Sequence, residues 1–293
     1  MLTMNIKTIG YTTFALLAFA GNSVLCRLAL GEGQIDAASF TVIRLLSGII
    51  TLVIILKLAQ LTQKNTRSTS PKTTSKGSWS AALMLFVYAI AFSYAYVSLD
   101  TGTGALILFG AVQITMLLVG ILSGNRLHYV EWIGVATAFC GFVYLVLPSV
   151  STPSLTGFIL MTVAGIAWAF YTLKGRGSKH PLGDTSYNFL RTLPLVAILL
   201  ALTIPQTQLS QTGILLAVVS GAVTSGIGYT LWYIALGGLT PTQAAVLQLL
   251  VPIIAAIGGV VFAGELISAR LVVASALVLG GILLVVLSKP TSK

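Results

Sequence analysis

The chain has 293 residues, of which 56% are hydrophobic and 8% are charged, with a mean hydropathy of +0.99 and a net charge of +10. Soluble globular proteins carry about 25% charged residues, so this composition excludes an ordinary soluble domain and indicates an integral membrane protein. The basic residues do not form a patch with interleaved aromatic residues, and we therefore expect no nucleic-acid partner.

Ten apolar segments follow one another along the chain, and each has the length of a membrane-spanning helix. They are too long and too uniformly apolar for the alternating strands of a membrane barrel, so the sequence predicts an all-α integral membrane fold. The predicted spans are Ile9–Leu30, Ala37–Ala59, Trp79–Leu99, Thr103–Ser123, Val130–Leu147, Gly157–Leu173, Thr185–Ile204, Thr212–Leu236, Thr242–Ala263 and Ala269–Leu287.

The basic residues predict the orientation of these spans, because cytoplasmic loops carry an excess of lysine and arginine. With the N-terminus in the cytoplasm, only Arg27 and Arg270 fall on the outer side, and Arg44 and Arg191 fall inside spans. We therefore expect a multi-pass protein of a bacterial inner membrane with both termini cytoplasmic. The cytoplasmic basic residues are then Lys7, Lys57, Lys64, Arg67, Lys72, Lys76, Arg126, Lys174, Arg176, Lys179, Lys289 and Lys293.

An internal repeat relates the two halves of the chain. At an offset of 147 residues the matches are Gly10 and Gly157, Ala20 and Ala167, Arg27 and Lys174, Ser39 and Ser186, and Arg44 and Arg191. At an offset of 140 residues they are Gly124 and Gly264, Asn125 and Glu265, and Gly141 and Gly281. The order of the matches is preserved, which favours a duplicated module over chance.

Each half contains five predicted spans, and an odd number requires the second half to enter the membrane from the opposite side. The sequence therefore predicts two inverted five-helix repeats, residues 1–148 and 157–293, joined by a linker over residues 149–156. Inverted repeats are typical of secondary transporters, which bind their substrate near the midplane between the repeats.

Two stretches resemble the EamA-type transporters of the drug/metabolite transporter superfamily: GNSVLCRLAL at Gly21–Leu30 and GELISARLVVASALVLGGILLVVL at Gly264–Leu287. The resemblance implies ten helices in two inverted repeats and transport of a small organic solute, an amino acid or related metabolite, in the export direction. The chain departs from the family at Asn125, where an acidic residue is common.

Polar and aromatic side chains near the middle of the spans are the candidates for a solute-binding cavity. A buried amide requires a hydrogen-bond partner, so each predicted amide either contacts the solute or joins two helices. Trp232 has a second interpretation, as an aromatic anchor at the membrane interface. The candidates are Asn22, Tyr94, Gln113, Trp168, Tyr229, Trp232 and Gln248.

Arg44 and Arg191 each lie within a span, roughly 10–12 Å below opposite membrane surfaces by the helical rise. A charged side chain at that depth must face protein or water. Two interpretations stay open: each arginine supports a gate on its own side of the membrane, or it contacts an anionic group of the solute.

No predicted span carries a carboxylate near its middle, and we find no nucleophile–base pair, metal-binding cluster or phosphate-binding loop. We therefore expect no enzyme, no catalytic residue, no metal and no cofactor. The expected partners are a small-molecule substrate and the lipid bilayer, and the oligomeric state stays open. The alternative to a transporter is a noncatalytic membrane receptor or assembly protein.

Overall fold

The computed structural model describes residues 5–65, 76–124, 128–146, 153–175, 178–239, 244 and 247–288. In these ranges the chain is helical apart from short connections, and the pairing of Ile35 with Leu209 is an isolated bridge. The all-α prediction is confirmed for this part of the chain. Asn125, residues 149–152 of the predicted linker and Thr242 at the start of the predicted ninth span lie outside the described residues.

The helices follow the predicted spans closely. A π-helical segment, Ser220–Ile227, connects α9 to α10 without a break, and a 3-10 turn, Ile204–Gln206, follows α8. The helices are α1 (Ile6–Leu30), α2 (Ala37–Asn65), α3 (Trp79–Tyr96), α4 (Thr101–Leu122), α5 (Tyr129–Val146), α6 (Leu155–Gly175), α7 (Pro181–Leu190), α8 (Leu193–Thr203), α9 (Gln211–Val219), α10 (Gly228–Leu236), α11 (Leu250–Ala263) and α12 (Ala269–Ser288).

Seven helical segments of the described chain are long and apolar enough to cross a membrane: α1, α2, α3, α4, α6, the segment from α7 to α8, and the segment from α9 to α10. The remaining predicted spans coincide with the shorter apolar helices α5, α11 and α12. Many leucine and isoleucine side chains point outward from the bundle, as lipid contact requires. The chain is a multi-pass membrane protein, and the count of ten spans stays a prediction.

The predicted seventh span is interrupted in the structure. α7 ends at Leu190, the chain turns at Arg191 and Thr192, and α8 begins at Leu193 with Pro194 in its first turn. Proline has no backbone N–H to donate to the preceding turn, so a break falls just before it. The span also begins earlier than predicted, at Pro181, because proline is well tolerated at the first position of a helix.

The eighth span contains the π segment, and this segment packs along α2. Gly221 makes the close approach possible: a Cβ atom at this position would overlap the carbonyl oxygen of Arg44 and the hydroxyl of Ser47. Small residues commonly allow such contact between membrane helices. The position of the Arg44 backbone therefore depends on a glycine in the facing helix.

Helix ends meet at two faces of the bundle, which we name by α1: the near face, where α1 begins, and the far face, where it ends. At the far face Ser98, just after α3, lies 2.7 Å from Ser154, just before α6, measured between the two hydroxyl oxygens. At the near face the chain entering α3 contacts α7: the backbone N–H of Ser78 donates to Asn188 at 2.9 Å. The first and sixth predicted spans thus begin at opposite faces.

The most extensive helix contacts join α5 to α12, α3 to α6, and α1 to the continuous segment from α9 to α10. α4 packs against both α6 and α11, and α1 also packs against α11. Every one of these contacts joins a helix of the predicted first half to a helix of the second. The two halves therefore share one core.

We predict that Gly221→Ala destabilises the protein by about 2 kcal/mol or more, because the added methyl group meets backbone that cannot move aside easily. The measurement is the apparent melting temperature of the protein purified in detergent. Gly280→Ala on α12 is the matched control, since no neighbouring atom of the described residues lies within 4 Å of the methyl group that this change adds. Equal melting temperatures for the two variants would contradict the close contact between α2 and the π segment.

Candidate functional site

Aromatic side chains from several helices meet in the middle of the bundle. The ring centroid of Trp168, on α6, lies 4.9 Å from that of Tyr88, on α3, and 4.7 Å from that of Tyr229, on α10. Phe19 of α1 packs edge-on against Trp168 at 5.9 Å. These rings enclose a central cavity of about 10 Å³, close to the space that one water molecule needs. Its lining residues are Phe19, Asn22, Tyr88, Phe92, Leu108, Phe109, Trp168 and Tyr229.

Arg44 of α2 lies behind the tyrosines of this cavity and is only 1% exposed. Its Nη2 donates to the hydroxyls of Tyr88 at 3.0 Å and Tyr229 at 2.9 Å, and its Nε donates to Ser225 of the π segment at 3.1 Å. The guanidinium carbon lies 5.1 Å from the ring centroid of Phe92. Hydroxyl groups and aromatic faces therefore surround the charge.

Asn22 joins α1 to the same network. Its Oδ1 accepts hydrogen bonds from Ser220 at 2.6 Å and Thr224 at 3.0 Å, both in the π segment, and its Nδ2 donates to the Tyr88 hydroxyl at 3.4 Å. These bonds satisfy an amide that is 2% exposed in an apolar bundle. Asn22 thus bridges helices and also borders the central cavity.

The structure brings together three of the predicted cavity residues, Asn22, Trp168 and Tyr229, as lining of the central cavity. Trp232 is buried next to them, with its ring centroid 5.6 Å from that of Phe19, and so lies in the core rather than at a lipid-facing surface. The other three candidates do not line the cavity: Gln113 and Gln248 are buried elsewhere in the bundle, and Tyr94 is 40% exposed.

Sequence reasoning missed Tyr88, which contacts both Arg44 and Trp168. A signal for it exists in the sequence, since Tyr88, Phe92 and Tyr96 follow one another at intervals of four residues and therefore share one face of α3. All three are buried. Tyr94 lies six positions after Tyr88, on a different face of the helix.

Arg191 occupies a different environment from its repeat partner, Arg44. It lies in the turn between α7 and α8, its Nη1 donates to the carbonyl oxygen of Lys76, and its guanidinium carbon lies 5.6 Å from the ring centroid of Trp79. Arg191 thereby connects the end of α7 to the chain entering α3, at the near face. The structure does not bring Arg191 into the central cavity.

A charged network joins three helix ends at the far face. Glu265, which follows α11, accepts hydrogen bonds from the Thr101 backbone N–H at 2.9 and 3.0 Å and forms an ion pair with Arg27 of α1 at 3.1 Å. Its carboxylate thus lies at the N-terminus of α4, where the helix dipole favours negative charge. Gly264, at a φ of 63°, makes the left-handed turn that ends α11 and positions Glu265.

A larger cavity lies at each face. The far-face cavity, of about 320 Å³, is bordered by the starts of α4 and α12 and includes Asp100 and Glu265. The near-face cavity, of about 210 Å³, lies between the starts of α3 and α7 and includes Lys174, Asp184 and Asn188. The aromatic residues around Trp168 lie in the interior of the bundle and line neither cavity.

Comparisons with known proteins identify the family. Residues 155–287 match the model of the EamA-like transporter family. A protein of Pseudomonas aeruginosa is 48% identical over 95% of this chain and 94% of its own length. A transporter of Archaeoglobus fulgidus is 29% identical over 68% of this chain and 73% of its own length. The chain belongs to the EamA-like transporter family.

This membership confirms the predicted relationship to the EamA-type members of the drug/metabolite transporter superfamily. The chain is accordingly a membrane transporter, and its partners are a small-molecule substrate and the lipid bilayer. A solved crystal structure also aligns with 97% of this chain and 99% of its own, with a TM-score of 0.65 and 18% identity, which is a likeness of fold alone.

The described part of this EamA-like transporter contains no group of three or more His, Cys, Asp or Glu side chains that could hold a metal ion. The EamA-like family consists of transporters and not of enzymes. The central site offers hydrogen-bond donors, one cation and aromatic surfaces.

Asp36 connects the start of α2 to the loop before α9 at the far face. Its Oδ1 accepts from the Ser39 backbone N–H at 2.8 Å, and its Oδ2 accepts from the Gln208 backbone N–H at 2.9 Å. Partial burial raises the pKa of Asp36, but hydrogen bonds from Ser39 and Gln208 outweigh it, so the pKa lies below its usual value of 3.8. The ionised form therefore stabilises the folded transporter.

We predict that Asp36→Ala costs about 1 kcal/mol of stability at pH 7, the usual effect of losing a helix cap. Because the folded-state pKa is lowered, the stabilisation is complete above pH 3.8 and is lost as the pH falls through the lowered value. Apparent melting temperatures between pH 3 and pH 7 measure this. Glu32→Ala, which removes an exposed carboxylate from the same loop, is the control. A difference from wild type that stays constant down to pH 3 would contradict the role of the Asp36 carboxylate.

Proposed function

We propose that the chain is a secondary transporter that exports small organic solutes, amino acids or related metabolites, across a bacterial inner membrane by alternating access. The observation that carries the proposal is the central cavity, because α1, α3 and α4 of the predicted first half and α6 and α10 of the second half all line it. A site enclosed between two repeats is where secondary transporters bind their substrates.

The helix contacts support two inverted five-helix repeats, residues 1–148 and 157–293. In an inverted repeat, each predicted span has a counterpart five spans away in the chain. The counterpart of α3 is the α9–α10 segment and that of α6 is α1, so a contact of α3 with α6 should recur between the α9–α10 segment and α1. The counterpart of α4 is α11, so the contact of α4 with α6 should likewise recur between α11 and α1. Both contacts of each pair are present in the structure. The contact of α5 with α12 joins two spans that are counterparts of each other, so it is its own equivalent.

Two carboxylates at opposite faces support the same symmetry. Asp36, before α2, accepts a hydrogen bond from the chain entering α9, at Gln208. Asp184, in the first turn of α7, accepts one from the chain entering α3, at Gly77, over 3.0 Å. Each contact is the inverted counterpart of the other, and each closes one end of the bundle. Alternating access requires such contacts to form and break in turn.

The central cavity is too small for an organic solute in this conformation. A solute can enter only if the rings around Trp168 separate, and the larger cavities at the two faces provide the routes. The positive-inside rule assigns the near face to the cytoplasm, together with both termini. Export, in this orientation, moves solute from the near-face cavity to the far-face cavity.

We predict that a bacterial host expressing the intact chain releases a small set of solutes, each several-fold enriched in the medium. Trp168→Ala should reduce this release by about 10-fold or more, because a central aromatic side chain typically contributes 2 kcal/mol or more to binding. Mass spectrometry of the medium, normalised to the amount of protein in the membrane, is the measurement. Trp132→Ala is the matched control, since Trp132 is 59% exposed on α5.

Where Trp168→Ala does not accumulate in the membrane, Asn22→Leu tests the same cavity with a side chain of similar size. Solutes that disappear from the medium would contradict export and indicate uptake. An unchanged medium over a broad panel of solutes would contradict transport and favour the receptor or assembly interpretation.

A further inference from the structure

Arg44 is a buried cation without a carboxylate partner. The chain contains six acidic residues, and all of them lie in loops or near helix ends: Glu32, Asp36, Asp100, Glu131, Asp184 and Glu265. None of them is among the hydrogen-bond partners of Arg44. An arginine stays protonated in proteins, so the interior of the bundle carries an uncompensated positive charge.

The neutral groups around Arg44 offset the cost of this burial only in part. Three hydroxyls accept its hydrogen bonds, and two aromatic faces lie just over 5 Å from its guanidinium carbon. Such contacts stabilise a cation, but each is weaker than a carboxylate at the same distance. Retaining a charge at this depth is expensive and generally marks a functional position.

The polar network around Arg44 contains hydrogen-bond donors that have no acceptor. Nη1 of Arg44 is buried and has no hydrogen-bond partner among the described residues. The Tyr88 and Tyr229 hydroxyls both accept from Nη2 of Arg44 and share one hydrogen bond at 3.1 Å, so one of their two hydrogens has no acceptor in the described part of the chain. Buried donors normally find acceptors, so this site lacks an acceptor group.

We propose that the central cavity binds the carboxylate group of a small organic anion, with Arg44 and Tyr88 donating hydrogen bonds to it and the aromatic rings holding its apolar body. The inference rests on the proposed function, since it names the class of solute that the transporter carries. A carboxylate supplies both the missing negative charge and the missing acceptors, and its two oxygens match the fork of a guanidinium.

The charge balance favours a monoanion. Arg44 is the one basic side chain that contacts the described lining of the cavity, since Lys174 and Arg191 lie toward the near face. A single guanidinium balances one negative charge, whereas a phosphate group carries nearly two. Six of the eight lining side chains are aromatic, which suits an apolar or unsaturated body.

The test compares a carboxylate with its amide, which has the same shape and no charge. Benzoate or benzamide is titrated at pH 7.5 into the full chain purified in detergent, and the apparent melting temperature is recorded. We expect benzoate to raise the melting temperature with a saturable dependence and benzamide to have little effect. Pivalate and pivalamide repeat the comparison with an aliphatic body.

Arg44→Gln should weaken the benzoate effect about 10-fold or more, because it removes the charge and the charge-assisted hydrogen bonds that hold the carboxylate. Arg44→Lys should retain part of the effect, since it keeps the charge. Tyr88→Phe keeps the charge and removes one donor, so it tests the site if Arg44→Gln does not fold. Lys57→Gln, an equal loss of charge at an exposed position of α2, should bind benzoate as wild type does.

Equal stabilisation by both members of a pair, survival of the benzoate effect in folded Arg44→Gln, or no stabilisation by either carboxylate would overturn the proposal. The release experiment separates this failure from failure of transport. Released solutes that lack a carboxylate would refute the inference and leave the transporter intact. Benzoate binding that depends on Arg44, together with no release of any solute, would support the site and refute export.

Discussion

The burial of Arg44 without a carboxylate is the constraint on which the rest of the central structure depends. A guanidinium in an apolar bundle must be surrounded by acceptors, and Tyr88, Tyr229 and Ser225 provide them from three different elements. Ser225 and Tyr229 reach Arg44 because the π segment and the helix that continues from it pack closely on α2, and this approach requires a glycine at position 221. One charge thus links α2, α3 and the eighth span through its hydrogen bonds.

The remaining charges lie at the ends of the helices, where they determine how the bundle closes. Asp36 and Glu265 hold helix ends together at the far face, and Asp184 does so at the near face. Ionised groups near water cost little to keep and can exchange partners, whereas the aromatic rings around Trp168 must separate before a solute can enter. This separation of charged ends from an aromatic centre supports the proposed transport by alternating access.

The apolar segments could be predicted because bilayer thickness sets a length that the sequence displays directly. The break in the seventh span was not predicted, although Pro194 marks its position in the sequence. The different environments of Arg44 and Arg191 could not be predicted. The two residues occupy equivalent positions in the repeat, but their partners come from other helices. The sequence around each arginine does not determine which helices pack against it. Tyr88 was missed although Phe92 and Tyr96 lie on the same face of α3, because the prediction chose Tyr94, which lies on another face and is 40% exposed.

The most direct measurement is an experimental structure of the full chain with 4-bromobenzoate, whose bromine locates the ring without ambiguity. We predict the ring between Tyr88 and Trp168, with a carboxylate oxygen within about 2.7–3.2 Å of Nη1 of Arg44. The surrounding helices should lie further apart than they do here, since the present cavity measures about 10 Å³. Bromine found only in the near-face cavity beside Lys174, or on the lipid-facing surface, with Arg44 bonded as it is now, would contradict the account.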